Sequence, residues 1–199
     1  MSSPVAALFP TLLACWLALS LVFLGRTPRP GRLRLLGSLV AAVLVLMVPV
    51  GGWRIFQWIA LFEPELSVTA IVMLLAGLVS RAGGPDFLRP SGWNSAWAFG
   101  AAGAMLLFPS TFGLYPVDIY SWGWCGGFAL IVGGLALVLA LKRNRFGAVL
   151  LLALLVEFVR PGASKNVWDV LIDPLYGAAA VLVLASRAIS RLRPGNGGR

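Results

Sequence analysis

The chain has 199 residues, of which 59% are hydrophobic and 12% are charged, and its mean hydropathy is +0.90. A soluble domain of this size would lack the polar side chains needed to cover its surface, so the composition predicts a membrane protein. The net charge of +9 is then first a signal of topology, and it gives no reason to expect nucleic acid as a partner.

Residue types that commonly carry redox and metal chemistry are scarce. Histidine is absent, and the two cysteines, Cys15 and Cys125, fall in different apolar segments without the spacing of a metal or redox pair. We therefore predict no metal site and no cofactor. The first apolar segment has no basic residues before it, so we interpret it as a retained membrane span and not as a signal peptide.

Seven apolar segments predict an all-α, polytopic bundle of about seven transmembrane helices. They lie near residues 5–25, 33–50, 66–80, 93–108, 121–141, 146–159 and 171–187. The third segment is short, so it would cross the bilayer with tilt or local thinning. Together the segments form a single domain of residues 1–193, and residues 194–199 form a flexible, basic tail.

Two connecting segments are rich in aromatic residues. Residues 53–65 combine tryptophans with Arg54, a pattern that is typical of a helix lying in the membrane interface; a solvated loop is the alternative. Residues 109–125 contain prolines and glycines, which predict that the fourth helix ends at Pro109. The tyrosines and tryptophans of this second segment form a predicted interfacial girdle.

Small residues recur at every fourth position in two of the predicted spans. The fourth span carries Ala96, Gly100 and Ala104, and the fifth begins with Gly123 and Gly127. Small side chains at this spacing let another helix approach closely, so both stripes predict helix packing seams.

Basic and acidic residues separate when the loops are assigned alternately to the two sides of a membrane. One side holds thirteen of the sixteen basic residues, and the other holds Arg54, Arg160 and Lys165. The positive-inside rule places the N-terminus outside and the C-terminus in the cytoplasm. Six of the seven carboxylates then lie outside: Glu63, Glu65, Asp118, Glu157, Asp169 and Asp173. The arginine-rich composition favours a bacterial cytoplasmic (inner) membrane, with membrane lipids as partners.

Three carboxylates near the last two spans are candidate catalytic residues. Glu157 lies in an apolar span and would share a helix face with Arg160; a structural ion pair is the alternative. Asp169 and Asp173 would stack on successive helical turns and divide acid and base roles. Alternatively, Asp173 caps the seventh span before a proline.

The remaining candidates would bind substrate. Trp168 and Tyr176 accompany the two aspartates, and Asp118 lies among aromatic residues that would stack on a sugar or hold a cation. Arg54 and Arg160 would bind a phosphate or an anionic headgroup. For Asp118 and Arg54, ordinary membrane anchoring is the alternative interpretation.

Three functions are compatible with these features, and no motif identifies a reaction. The first is a non-enzymatic subunit or accessory factor of an envelope or lipid pathway, with other membrane subunits as partners. The second is a carrier or binding component for a small polar or cationic solute. The third is a membrane enzyme that acts on a lipid-linked substrate at the outer leaflet through Glu157, Asp169 or Asp173.

Overall fold

The computed structural model describes residues 32–62, 66–81, 84–159 and 165–192, and these residues are mostly helical. The first predicted span at residues 5–25, the tail at 194–199 and the candidate Arg160 lie outside the described residues. The helices are α1 (Arg32–Met47), α2 (Ile55–Phe62), α3 (Val68–Arg81), α4 (Arg89–Thr111), α5 (Gly126–Leu141), α6 (Phe146–Val159), α7 (Val167–Leu171) and α8 (Pro174–Leu192). A two-residue strand pair, β1 (Pro49–Val50) and β2 (Trp53–Arg54), precedes α2, and a 3-10 helix (Tyr120–Trp124) precedes α5.

The seven-span prediction is not confirmed by these helices. Within the described residues, α8 alone has both the length and the apolar character to cross a membrane, which is weak support for a membrane bundle. Helices α3, α5 and α6 are apolar but have 14, 16 and 14 residues. A 16-residue helix is about 24 Å long, whereas the hydrocarbon core of a bilayer is about 30 Å thick.

The observed helix bounds agree with the predicted spans to different degrees. The predicted sixth span coincides with α6, whereas α8 begins three residues later than the predicted 171–187. Helix α4 continues two residues beyond Pro109, where the sequence predicted its end. Proline lacks the N–H that would bond to the carbonyl of Met105, and the hydroxyl of Tyr115 approaches that carbonyl at 3.4 Å instead.

The described chain divides into two compact units, and the first contains α1, the strand pair, α2 and most of α3. A two-residue turn at Gly51 and Gly52 joins the strands, and both glycines have positive φ angles (60° and 84°). A tight hairpin requires this backbone, which glycine adopts without a steric penalty. The indole N–H of Trp58 donates to the carbonyl of Val50 at 3.0 Å and ties α2 to the hairpin.

The second unit consists of Ser67–Thr69 and Leu88–Arg199, and two antiparallel helix pairs form its core. Helix α4 packs along α8, and α5 packs along α6. Glycines allow the close approach: an added Cβ at Gly100 would lie 2.7 Å from Cζ of Tyr176, and one at Gly147 would lie 2.5 Å from the carbonyl oxygen of Ala136. The predicted seam on α4 is therefore an internal contact.

Side-chain size is distributed unusually across the second unit. Six of the eight buried residues of α4 are glycine or alanine, whereas large aliphatic and aromatic side chains of α5 and α6 point outward. Leu130 is 78% exposed and Phe158 is 90% exposed. Soluble proteins bury such residues and rarely expose contiguous apolar surface of this extent.

The charged residues of the second unit lie at its opposite ends. One end is formed by three chain segments, 89–95, 142–146 and 187–192. All the charged residues in these segments are basic. Segments 111–124 and 165–173 form the other end, which carries Lys165 and the carboxylates. This arrangement follows from the helix directions, because α4 and α6 start at the basic end while α5 and α8 finish there.

Candidate functional site

Asp173 is a buried helix cap, which agrees with the capping interpretation of this residue. Its side chain is 3% exposed, and Oδ1 accepts a hydrogen bond from the backbone N–H of Tyr176 at 2.7 Å. Oδ2 accepts from both the backbone N–H and the hydroxyl of Ser67, at 2.9 and 2.7 Å. An aspartate at the N-cap followed by proline in the first helical position is a favourable helix start. Asp173 also connects two segments that are 106 residues apart in the chain.

Asn166 and Trp168 fasten α7 to the 3-10 helix. The amide oxygen of Asn166 caps α7 by accepting from the backbone N–H of Trp168 at 3.0 Å, and its Nδ2 donates to the carbonyl of Tyr120 at 3.1 Å. The indole N–H of Trp168 donates to the carbonyl of Ile119 at 3.0 Å, and its ring lies 4.4 Å from that of Phe128. Both side chains are buried, so their polar atoms serve the packing of this end.

Asp169 and Asp173 do not lie on one continuous helix, so the predicted i, i+4 stack of two carboxylates does not form. Helix α7 ends at Leu171, and Ile172 is extended, with φ −143° and ψ 125°. This break places the two aspartates on different helices, where they have different partners. Asp169 is exposed, and its Oδ1 accepts from the hydroxyl of Tyr120 at 2.9 Å.

Tyr176 is a core residue of the α4–α8 contact. Its hydroxyl donates to the backbone carbonyl of Ala96 at 2.6 Å, and its ring lies 6.4 Å from that of Trp97. The side chain is buried, so it has no surface for a substrate in this conformation. A buried tyrosine normally finds such a partner for its hydroxyl, and here the partner is the neighbouring helix.

Asp118 lies in the exposed loop that leads to the 3-10 helix. Its Oδ1 accepts weakly from the backbone N–H of Ser121 at 3.3 Å, and its carbonyl accepts from the Ser121 hydroxyl at 2.6 Å. Short side chains of this type commonly stabilise the first turn of a helix. Trp122 and Trp124 in the following turn are about half exposed.

Three hydroxyl residues contribute to this end and were not among the sequence candidates. Ser110 donates to the carbonyl of Val117 at 2.9 Å and accepts from the backbone N–H of Ile119 at 2.8 Å. Thr69 approaches the carbonyl of Val170 at 3.4 Å, and Ser67 binds Asp173 as described above. Hydroxyl residues next to apolar ones are common in the sequence, so nothing in their local pattern singled out these three.

The remaining candidates within the described residues are Arg54 and Glu157. Arg54 belongs to the first unit, is exposed, and approaches the sulfur of Met47 at 3.6 Å. Its backbone N–H donates to the side chain of Gln57 at 2.7 Å. Glu157 is partly buried near the end of α6. Its predicted pairing with Arg160 stays a prediction, because Arg160 lies outside the described residues.

The polar groups at the acidic end are mostly used to hold the fold together. Among the described residues, every buried side-chain nitrogen and oxygen has a hydrogen-bond partner. The same residues contain no group of three or more histidine, cysteine, aspartate or glutamate side chains that would hold a metal ion. The hydrogen bond between Tyr120 and Asp169 lies at the surface of this end.

Comparisons with protein-family models, curated proteins and solved structures find no match to this chain.

Proposed function

We propose that this chain is a multi-pass protein of the bacterial cytoplasmic membrane, with about seven spans. The observation that carries the proposal is that glycine and alanine make up most of the buried face of α4, while many large apolar side chains of α5 and α6, such as Leu130 and Phe158, are exposed. In lipid, helix association depends on close packing of small residues, and large apolar side chains are solvated by acyl chains. Helix α8 fits this environment, because only 17% of its most apolar 18-residue stretch is buried.

The orientation follows from the charges at the two ends of the second unit. The basic end would face the cytoplasm, and the end with Asp118, Asp169 and Asp173 would face outward. The short helices α5 and α6 fit a bilayer if they tilt little and the lipid thins around them. The 3-10 helix before α5 adds polar and aromatic residues at the height of the lipid headgroups.

The exposed Cys125 allows a direct test of this orientation. In a Cys15→Ser background, a membrane-impermeant maleimide should label Cys125 in intact cells. A matched variant, Cys15→Ser/Cys125→Ser/Arg143→Cys, should react only after the cells are permeabilised. Labelling of Arg143→Cys in intact cells, or release of the protein by alkaline washing of membranes, would overturn the proposal.

We further propose that the protein is a non-enzymatic subunit or accessory factor of an envelope or lipid pathway. The support is that Asn166, Trp168, Asp173 and Tyr176 spend their polar atoms on structural hydrogen bonds. An enzyme needs titratable groups that are free to reach a substrate. A structural subunit needs only a stable fold and an outer surface, and both are compatible with the described geometry.

This role is tested by removing the accessible carboxylates together. A triple variant, Asp118→Asn/Glu157→Gln/Asp169→Asn, should restore the wild-type phenotype to a strain in which the gene is deleted. Asp173 is left intact because its loss would destabilise the fold. Failure of the triple variant at normal abundance and with normal Cys125 labelling would refute the purely structural role.

Binding of a small cationic solute at the outer end is a second candidate, and one observation favours it. Asp169 is an exposed carboxylate that a tyrosine hydroxyl orients, and exposed tryptophans lie in the neighbouring 3-10 helix. Carboxylates and aromatic rings both attract cations. Failure of Asp169→Asn alone to complement the deletion, with Asp118→Asn still active, would favour this candidate over the structural role.

A further inference from the structure

The basic end of the second unit collects cations from three separate parts of the chain. We call this set the basic surface; its members are Arg89, Lys142, Arg143, Arg145, Arg187 and Arg191. The described carboxylates of the same unit all lie toward the opposite end. Asp86, which precedes Arg89 by three residues, is the carboxylate nearest to this set in the sequence. Six cations therefore meet at one end of the second unit and give it a positive electrostatic potential, and their convergence follows from the helix directions.

Two side-chain contacts hold the three segments of the basic surface in place. Asn144 lies in the α5–α6 turn, and its Nδ2 donates to the hydroxyl of Ser95 on α4 at 2.7 Å. Its Oδ1 accepts from the backbone N–H of Phe146 at 3.1 Å and caps α6. Arg187 on α8 donates to Oδ1 of Asn94 on α4 at 2.8 Å. The cations are thus displayed on a fixed frame rather than on independent loops.

Arg143 has a backbone conformation that glycine would adopt more easily. Its φ is 56°, its N–H donates to the carbonyl of Ala140 at 2.9 Å, and the N–H of Asn144 donates to the carbonyl of Leu139 at 2.8 Å. This pair of bonds is the Schellman motif, in which glycine usually occupies the left-handed position. Arginine is less favourable than glycine there, because its Cβ lies close to the following carbonyl oxygen. The cost is unexplained by the turn itself, so we assign it to the charge that Arg143 presents.

Exposed apolar side chains lie directly beside the cations. Leu141 precedes Lys142 and is 76% exposed, and Leu192 follows Arg191 and is 81% exposed. Ile189, one turn earlier on α8, is also exposed. An acidic protein or a nucleic acid would match the charge but not this apolar border. A phospholipid matches both, because its phosphate lies above its acyl chains.

We propose that the basic surface binds the anionic headgroups of phospholipids in the leaflet that it faces. Arg143 and Lys142 contact the phosphate, while Leu141 and Leu192 lie against the upper part of the acyl chains. This proposal rests on the membrane location proposed above, and it adds selectivity for lipids with a net negative charge over zwitterionic lipids of the same chain length. Bidentate donation by guanidinium groups suits phosphate oxygens well.

The test compares binding of phosphatidylglycerol and phosphatidylcholine, with identical acyl chains, to the full-length protein purified in detergent. Native mass spectrometry or lipid-dependent thermal stabilisation reports the two apparent affinities. Wild type should prefer phosphatidylglycerol. The variant Arg143→Gly should be as stable as wild type or more stable, because it removes the left-handed arginine, yet its affinity for phosphatidylglycerol should fall about fivefold. The triple variant Lys142→Gln/Arg143→Gly/Arg191→Gln should lose on the order of a hundredfold.

The matched control is Lys165→Gln, which removes an exposed cation from the opposite end of the same unit. It should leave the preference for phosphatidylglycerol unchanged. Unchanged preference in Arg143→Gly and in the triple variant, or an equal loss in Lys165→Gln, would overturn the proposal. Flotation of the wild-type protein with phosphatidylcholine vesicles measures membrane insertion, and so distinguishes failure of the lipid selectivity from failure of the membrane location. Insertion without any headgroup preference overturns lipid selectivity alone, whereas failure to insert overturns the membrane location as well.

Discussion

Replacement of Asp173 by alanine should destabilise the second unit more than any other single carboxylate substitution among the described residues. The change removes the N-cap of α8, which typically contributes about 1 kcal/mol. It also removes the acceptor for both the N–H and the hydroxyl of Ser67, and hydrogen bonds to a charged group typically contribute about 1.5–3 kcal/mol each. Water that enters the space left by the carboxylate would replace some of these hydrogen bonds. We therefore expect the free energy of unfolding to fall by about 3 kcal/mol.

The variant Asp173→Asn should show an intermediate loss of about 1–2 kcal/mol. Asparagine caps helices about as well as aspartate, so the bond to the N–H of Tyr176 survives. The amide nitrogen, however, faces the N–H of Ser67, and two donors cannot pair. The hydroxyl of Ser67 can turn to accept instead.

Unfolding by sodium dodecyl sulfate in mixed micelles, followed by tryptophan fluorescence, measures these differences. A double-mutant cycle with Ser67→Ala should give a coupling energy of about 1 kcal/mol or more between the two side chains. Asp169→Ala is the control, and because Asp169 is exposed we expect it to cost much less. A coupling energy of zero, or equal losses in Asp173→Ala and Asp169→Ala, would refute the assignment of Asp173 as the cap that joins the two segments.

Three further outcomes follow from the packing, and the same unfolding assay measures each. Gly100→Ala should destabilise the protein by about 1–3 kcal/mol, because the new methyl group would lie 2.7 Å from the ring of Tyr176. As a control, an added Cβ at Gly134 meets nothing within 4 Å, so Gly134→Ala should be neutral or stabilise α5 by up to about 1 kcal/mol. Equal effects of the two substitutions would contradict the α4–α8 contact. Tyr176→Phe should cost about 1 kcal/mol, because it removes the hydrogen bond from the tyrosine hydroxyl to the carbonyl of Ala96. No loss would mean that this hydrogen bond is not formed. Trp168→Phe keeps the aromatic contact but removes the indole donor to the carbonyl of Ile119, so we expect a similar loss. No loss would mean that this hydrogen bond is not formed.

Local signals in the sequence were sufficient for the helical class and for several helix bounds. Residues 146–159 are apolar except for Glu157 and lie between an Arg-rich turn and a polar one, and α6 has the same bounds. The capping interpretation of Asp173 needed only its neighbour Pro174, because a helix start is defined by contacts within about four residues. The separation of basic and acidic residues to opposite ends of the second unit could also be predicted from the sequence, since it depends on helix direction alone.

Only the tertiary structure decided which polar and small residues meet. The contact between Asp173 and Ser67 joins residues 106 positions apart, and the break at Ile172 separates Asp169 from Asp173 although their spacing suits one helix. The glycines Gly100 and Gly134 lie in similar apolar surroundings in the sequence, yet one faces a tyrosine ring and the other faces open space. Spacing along a helix places residues on a face, but the choice of neighbour for that face depends on the packing of the whole chain.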